Sequence, residues 1–320
     1  MFSTKSGFRW QNSKAHLLLL SYFLHPRSIR EFANEKWNTV LREKPDQAIK
    51  RLQQEGLLIE AELAEHLSYK YKVVELKQLL KERALPVSGK KEDMIRRVIQ
   101  ANLEDAKRLV AGLFVLKCSE NGRAVAEAFV LAEKEEKNKV EQVVFDHLRN
   151  RKLEDACRAT ALFEAGQVFP RGLGIDWINY NPENDTAILK SIFDDQPKIL
   201  RQITPQKMES FRIAAGMMHL WGVNSAEKWL AQDFRTDLSF DNDTATRMLL
   251  FFARHKVNLI NYRKSGSFKY VEILTTQDSC DECRKNAKKR YKLDEVLELP
   301  NEHCLHTKGC RCTYIPIFLA

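Results

Sequence analysis

No run of apolar residues in this chain approaches the ~20 that a membrane-crossing helix needs. The most apolar stretch, Leu17 to Leu24, is interrupted by Ser21 and followed by His25-Pro26. Lys5 and Arg9 precede that stretch, as in a secretion signal. No small-residue cleavage site follows it, and the next segment is charged. The expectation is an intracellular, cytoplasmic protein, nucleoid-associated if the chain is bacterial. Also absent are a phosphate-cradling P-loop, a G-x-G-x-x-G fingerprint, a nucleophilic serine elbow and an H-E-x-x-H pair. With them go the usual sequence grounds for nucleotide, dinucleotide, serine-hydrolase and zinc-protease chemistry, and no catalytic residue is assigned.

What is present is apolar material and positive charge. The 320 residues are 44% hydrophobic, enough for packed cores, and the length suits two or three domains. Charged residues reach 30% with a net charge of +9, a balance that favours polyanionic partners: nucleic acid, or an acidic membrane surface. Solvated basic helix faces give the same balance without any partner.

The pattern separates four regions and predicts a mainly α protein with a small α/β module at its C-terminal end. Residues 1–64 look helical, with helix-spaced apolar positions over Ala15 to Leu24, Pro26 to Leu41 and Pro45 to Leu57. Gly56 followed by Leu57-Leu58 reads as a helix stop with an apolar exit, an ending that winged-helix domains share. Residues 70–102 form a two-helix module. Residues 103–262 read as helical again, over Val125 to Leu148, Leu153 to Phe169, Ile199 to Trp229 and Ala245 to Ile260, with Pro170-Arg171-Gly172-Leu173-Gly174 as a breaker. Residues 263–320 change texture: Tyr270 to Thr275 and Thr313 to Phe318 are strand-like, and the segment has too little apolar content to do without a staple.

In the module, Val73, Leu76 and Leu80 mark one apolar face and Met94, Ile95, Val98 and Ile99 another. Pro86 pushes Leu85 out of the helical region, and Ser88-Gly89 can cap the second helix while leaving its first amides free. A helix N-terminus with free N–H groups and a partial positive charge suits a phosphate. Lys90 and Lys91 stand beside it, and Lys77, Lys81, Arg96 and Arg97 add cations, with Glu75, Glu82, Glu92 and Asp93 interspersed. The stretch "VVELKQLLKERALPVSGKKEDMIRRV" resembles the SAP domain, a helix-loop-helix family that binds DNA, over about a tenth of the chain. The resemblance implies that Gly89, Lys90, Lys91 and Arg97 face phosphate. The family usually has glycine where this chain has Ala84, which implies a first helix that ends slightly differently here. It also has members that bind RNA or proteins. A purely structural two-helix unit is the alternative.

Five of the seven cysteines, Cys280, Cys283, Cys304, Cys310 and Cys312, cluster in the tail with His303 and His306 among them. C-x-x-C supplies two ligands from one knuckle, and four thiolates around Zn2+ need a second pair. The first choice is Cys280, Cys283 and Cys304 with Cys310 or Cys312, as one structural zinc. A redox C-x-x-C lacks the surrounding βαβ pattern, and a disulfide-bonded tail lacks a secretion signal. The pattern "C-x-x-C … LP … C … GCRC" also resembles the cysteine-rich ends of phage Mu F-like minor head proteins over the last forty or so residues. It departs from them because His303-Cys304 stands apart from Cys310-Arg311-Cys312. No capsid role is carried over. Glu282 and Glu302 leave a hydrolytic metal open, and Lys285, Lys288, Lys289, Arg290 and Lys292 form a basic run.

Other candidates have simpler readings. Asp237, Asp241 and Asp243 could form a Mg2+ site, but turns and helix capping before Ala245 explain them more simply. Cys118 and Cys157 read as buried inert thiols, Trp177, Trp221 and Trp229 as core fillers, and His147 and His219 as packing or surface groups. The expected function is DNA binding, with RNA as a second partner class and no membrane. The alternatives are a nuclease targeted by the module, or a phage or scaffold assembly protein.

Overall fold

The computed structural model describes residues 10–318 except 173 and 237. Lys5 and Arg9 of the signal-like segment, Leu173 of the breaker and Asp237 of the aspartate group therefore lie outside the described residues. Among the described residues the helices are α1 (Lys14–Tyr22), α2 (Glu35–Leu41), α3 (Pro45–Gln54), α4 (Leu63–Lys70), α5 (Val73–Glu82), α6 (Lys91–Ala101), α7 (Leu103–Leu109), α8 (Glu120–Arg149), α9 (Leu153–Ala165), α10 (Glu183–Asp194), α11 (Pro205–Trp221), α12 (Asn242–Ser265) and α13 (Asp281–Arg284). The strands are β1 (Arg27–Ser28), β2 (Leu58–Glu60), β3 (Val115–Cys118), β4 (Phe268–Leu274), β5 (Arg290–Lys292) and β6 (Thr313–Phe318). No helix among them is long and apolar enough to cross a membrane. The chain forms two compact units that divide between Glu136 and Lys137, within α8.

In the first unit β3 is the middle strand of an antiparallel sheet of order β1-β3-β2, with Arg27 opposite Leu116 and Leu58 opposite Cys118. Residues 61–114, which hold the two-helix module, are thus carried between two paired strands. Two segments read as helix from the sequence differ here. Pro26 to Leu41 breaks into β1, a 3-10 turn at Ile29–Phe32 and α2, because Ser28 and Asn34 cap new turns at Arg30 and Trp37. Val115–Cys118 is a strand inside the region expected to be helical. Four apolar-rich residues are too few to show a period.

In the second unit α9, α10, α11 and α12 pack around Leu189, Ile192, Phe211, Met217 and Leu249, all of them buried. Pro205 opens α11 at a position where its missing N–H costs nothing, and Asp241 caps α12 by accepting from the Thr244 N–H at 2.6 Å. The tail sheet has the order β5-β4-β6, all antiparallel, with Ile273 opposite Tyr314 and Val271 opposite Pro316. Val271 and Ile273 alternate into the core while Glu272 does not. They share one hydrophobic core with Met248 and Leu249 of α12 and with Cys283, Cys310 and Cys312. Gly309 sits at φ +72°, and a Cβ there would lie 2.6 Å from Thr244 Cγ2 and 2.9 Å from Met248 Sδ.

Gly309→Ala should therefore lift the tail from α12 and cost about 1–3 kcal/mol, from the left-handed backbone and the overpacking together. Denaturant unfolding of the whole chain measures it. An unchanged midpoint would show that Gly309 is not seated on α12.

Candidate functional site

The module is built on Leu76 and Leu80 from α5 and Met94, Ile95 and Val98 from α6, all buried. Leu67 of α4, Ala106 of α7 and Val110 complete the same core, so the packed unit extends past both ends of the two-helix stretch. Val73 does not belong to it: this residue is 41% exposed, Val74 78%, and Leu79 packs against the core instead. Val73 is the first residue of its helix, so no preceding turn covers it. Arg83 fastens α5 to α7, donating to Asp105 Oδ2 through Nε at 3.0 Å and Nη2 at 2.6 Å.

α5 ends as a glycine-terminated helix would. Ala84 takes φ +52°, its N–H donates to the Lys81 carbonyl at 3.0 Å, and the Leu85 N–H reaches the Leu80 carbonyl at 2.9 Å. This is a Schellman ending. The alanine did not shift the helix end, because the two hydrogen bonds and the Leu85 side chain offset a left-handed cost of about 1–2 kcal/mol.

The loop that follows is organised by Arg97, whose Nη1 donates to the Pro86 carbonyl at 2.8 Å and the Ser88 carbonyl at 2.5 Å. Gly89 lies at φ +104°, and a Cβ there would meet Asp93 Oδ2 at 3.3 Å and Arg97 Nη2 at 3.4 Å. The cap of α6 is one residue later than Ser88-Gly89. Lys90 is the N-cap, and Asp93 Oδ2 accepts from the Lys90 N–H at 3.3 Å. The Lys91 and Glu92 amides open the helix with no hydrogen bond to the described residues.

The seven cationic and glycine positions expected from the sequence sit differently in this frame. Lys77, Lys81 and Lys90 are exposed and form no ion pair among the described residues. Arg96 is exposed and approaches Asp93 at 3.4 Å. Lys91 reaches back to α4, donating to the Ser68 carbonyl at 2.5 Å. Arg97 and Gly89 shape the loop. Sequence reasoning missed the structural work of Lys91 and Arg97, because their carbonyl partners leave no mark in the sequence.

In the tail, Cys280, Cys283 and Cys304 lie with their sulfurs within 4.8 Å of one another, and so do Cys283, Cys310 and Cys312. Cys283, within the α13 turn that Cys280 precedes, belongs to both groups and is buried with Cys310 and Cys312. Cys280 and Cys304 are half-buried, and all five are free thiols. The Cys280–Cys304 and Cys283–Cys310 sulfur separations are both 3.8 Å. The Cys304, Cys310 and Cys312 thiols hold Cys283 well above the ordinary thiol range, by hydrogen bonding. A divalent cation is what lets several such thiols ionise together. The arrangement can hold a metal ion. Neither histidine joins it: His303 is exposed, and His306 accepts from the Lys308 N–H at 3.0 Å with Arg311 on its other nitrogen at 3.2 Å.

The remaining candidates have structural partners. Asp243 accepts from the Ala226 N–H at 2.6 Å. Glu282 pairs with Lys285, and Glu302 lies between Lys198 and Arg201. Burial pushes the Cys118 and Cys157 thiols up to about 11. Trp221 is buried, while Trp177 and Trp229 are half-buried. His219 bridges Asp185 at 3.1 Å and Arg254 at 3.1 Å.

Comparison with protein families matches residues 70–102 to the SAP domain. No curated protein matches the chain.

The geometry sorts the module's cations by stability. Arg97→Ala should destabilise the first unit by about 1 kcal/mol through loss of charge-assisted bonds, while Lys77→Ala should stay within about 0.5 kcal/mol. Ala84→Gly should gain about 0.5 kcal/mol, the relief of the left-handed backbone exceeding the entropy cost of glycine. Hydrogen exchange at the α5 and α6 amides reads all three. Equal effects for Arg97 and Lys77 would remove Arg97 from the loop.

Proposed function

We propose that this protein binds DNA through the module at residues 70–102, by backbone contact that tolerates many sequences. The observation that carries the reading is the SAP family match on a module whose α6 N-terminus is flanked by exposed cations. In this reading Lys77, Lys81, Lys90 and Arg96 meet phosphates directly. Gly89 lets the backbone approach, the Lys91 and Glu92 amides donate to a phosphate oxygen, and Lys91 and Arg97 hold the surface in shape while adding their charge. Contacts of this kind position a protein on nucleic acid without reading bases.

The tail is proposed to hold one zinc ion as a structural staple. Sulfurs at 2.3 Å from a tetrahedral zinc are about 3.8 Å apart, the separation seen for Cys280–Cys304 and for Cys283–Cys310. On this reading Cys280, Cys283 and Cys304 bind it with Cys310, and Cys312 adjoins them. A thiolate metal site and a DNA partner favour an intracellular setting.

Two measurements test these readings. Binding to labelled duplex DNA and RNA across a salt series should fall with salt, with a slope of roughly 0.9 per phosphate contact on duplex DNA. Lys77→Ala with Lys90→Ala should weaken binding on every sequence and lower that slope by about two at most. Unchanged affinity and slope would sink the module as the DNA contact, and binding to RNA alone would change the partner. Metal analysis should find about one zinc per chain, and Cys283→Ser should lose it and loosen the tail, since the energy of a structural zinc is folding energy. Metal-free protein with an intact tail would contradict the staple.

A further inference from the structure

In the first unit an open cleft of about 540 Å³ is lined by Arg27, Arg30, Glu31, Tyr69 and Lys70 with the 111–113 turn. Its charge is mostly uncompensated. Arg27 Nη1 donates to Glu31 at 2.9 Å, and Tyr69 shares that carboxylate at 2.8 Å. The Arg27 Nε is buried with no hydrogen-bond partner. Lys70 donates to the neutral Leu109 carbonyl, and Arg30 is exposed with no ion pair among the described residues. Tyr69 itself is 37% exposed. Clustered cations without carboxylate partners are what attracts the phosphate backbone of a nucleic acid.

The cleft adjoins the start of α6. Ser68, the neighbour of Tyr69, accepts from Lys91 at 2.5 Å, so the C-terminal turn of α4 touches the first residue of α6 and lines the cleft. Each strand of a B-form duplex offers a phosphate about every 3.4 Å along the axis, so neighbouring phosphates of one molecule can fall at both places. We propose that this cleft is a second docking site, for the phosphate backbone of the same nucleic acid that the 70–102 module holds. The inference rests on the module reading given above. Arg30 and Lys70 take the phosphates, and Arg27 adds its charge while Glu31 keeps it and Tyr69 in place.

The test uses the full chain and fluorescence anisotropy with a short labelled duplex over a salt series. Arg30→Ala should weaken binding about 3–10-fold and lower the salt slope by about one, Arg30→Glu should weaken it more, and Arg30→Lys should keep most of it. Arg30 is exposed, so the unfolding midpoint should not move. Parent-like affinity and slope for both Arg30→Ala and Arg30→Glu would overturn the cleft. If Lys77→Ala with Lys90→Ala were weakened in the same series, the module reading would survive that failure. Loss on Arg30→Glu with none on the Lys77, Lys90 double variant would leave a nucleic-acid contact at the cleft but overturn it as a second site beside the module. A parent protein that binds no duplex at low salt would end both.

Discussion

Two carbonyl oxygens, of Pro86 and Ser88, converge on the Arg97 guanidinium at 2.8 and 2.5 Å, and the geometry of the module's working face depends on that convergence. It fixes an extended loop that has no secondary structure of its own. It places Gly89 in a backbone conformation other residues resist, with the arginine and Asp93 filling the space a side chain would need. It delivers the chain to Lys90 at the angle from which α6 starts, with its first amides pointing outward. A cation expected to spend itself on phosphate is thus first a brace, through its Nη1 alone.

The module is also fixed at its ends. The antiparallel pairing of β2 with β3 brackets residues 61–114, so both ends of the insertion leave from adjacent strands. Arg83 with Asp105, and Lys91 with Ser68, tie α5 and α6 to the helices on either side. A two-helix stretch of this length has too small a core to be stable alone, and Leu67, Ala106 and Val110 enlarge it. In the second unit Cys283 has the corresponding place. It belongs to both groups of thiols and to the core that α12 shares with β4 and β6, so a metal held there would act on a residue that the packing also uses.

Much of this is legible in the sequence, for identifiable reasons. The long helices and β6 follow from period, and the family of the 70–102 segment from the order of its leucines, loop and lysines. The cysteines announce a shared site by spacing alone. Strand β3 is not legible, because it pairs with residues nearly ninety and sixty positions away and is too short to show alternation. Val73 misleads because helix periodicity places it on the apolar face, while its position at the helix start leaves it uncovered. The Schellman ending at Ala84 runs against local preference and is imposed by tertiary context. The internal roles of Lys91 and Arg97 depend on backbone acceptors that no residue type reveals.

The claim on which the account turns is that nucleic acid meets the protein at the start of α6. Residue-resolved NMR of the ¹⁵N-labelled chain, titrated with a short DNA duplex, addresses it without altering a residue. With docking there, the amides of Gly89, Lys90, Lys91 and Glu92 shift first and furthest, and those of the buried Met94 and Val98 follow weakly. Saturable binding that leaves those four amides unmoved while others shift would contradict it.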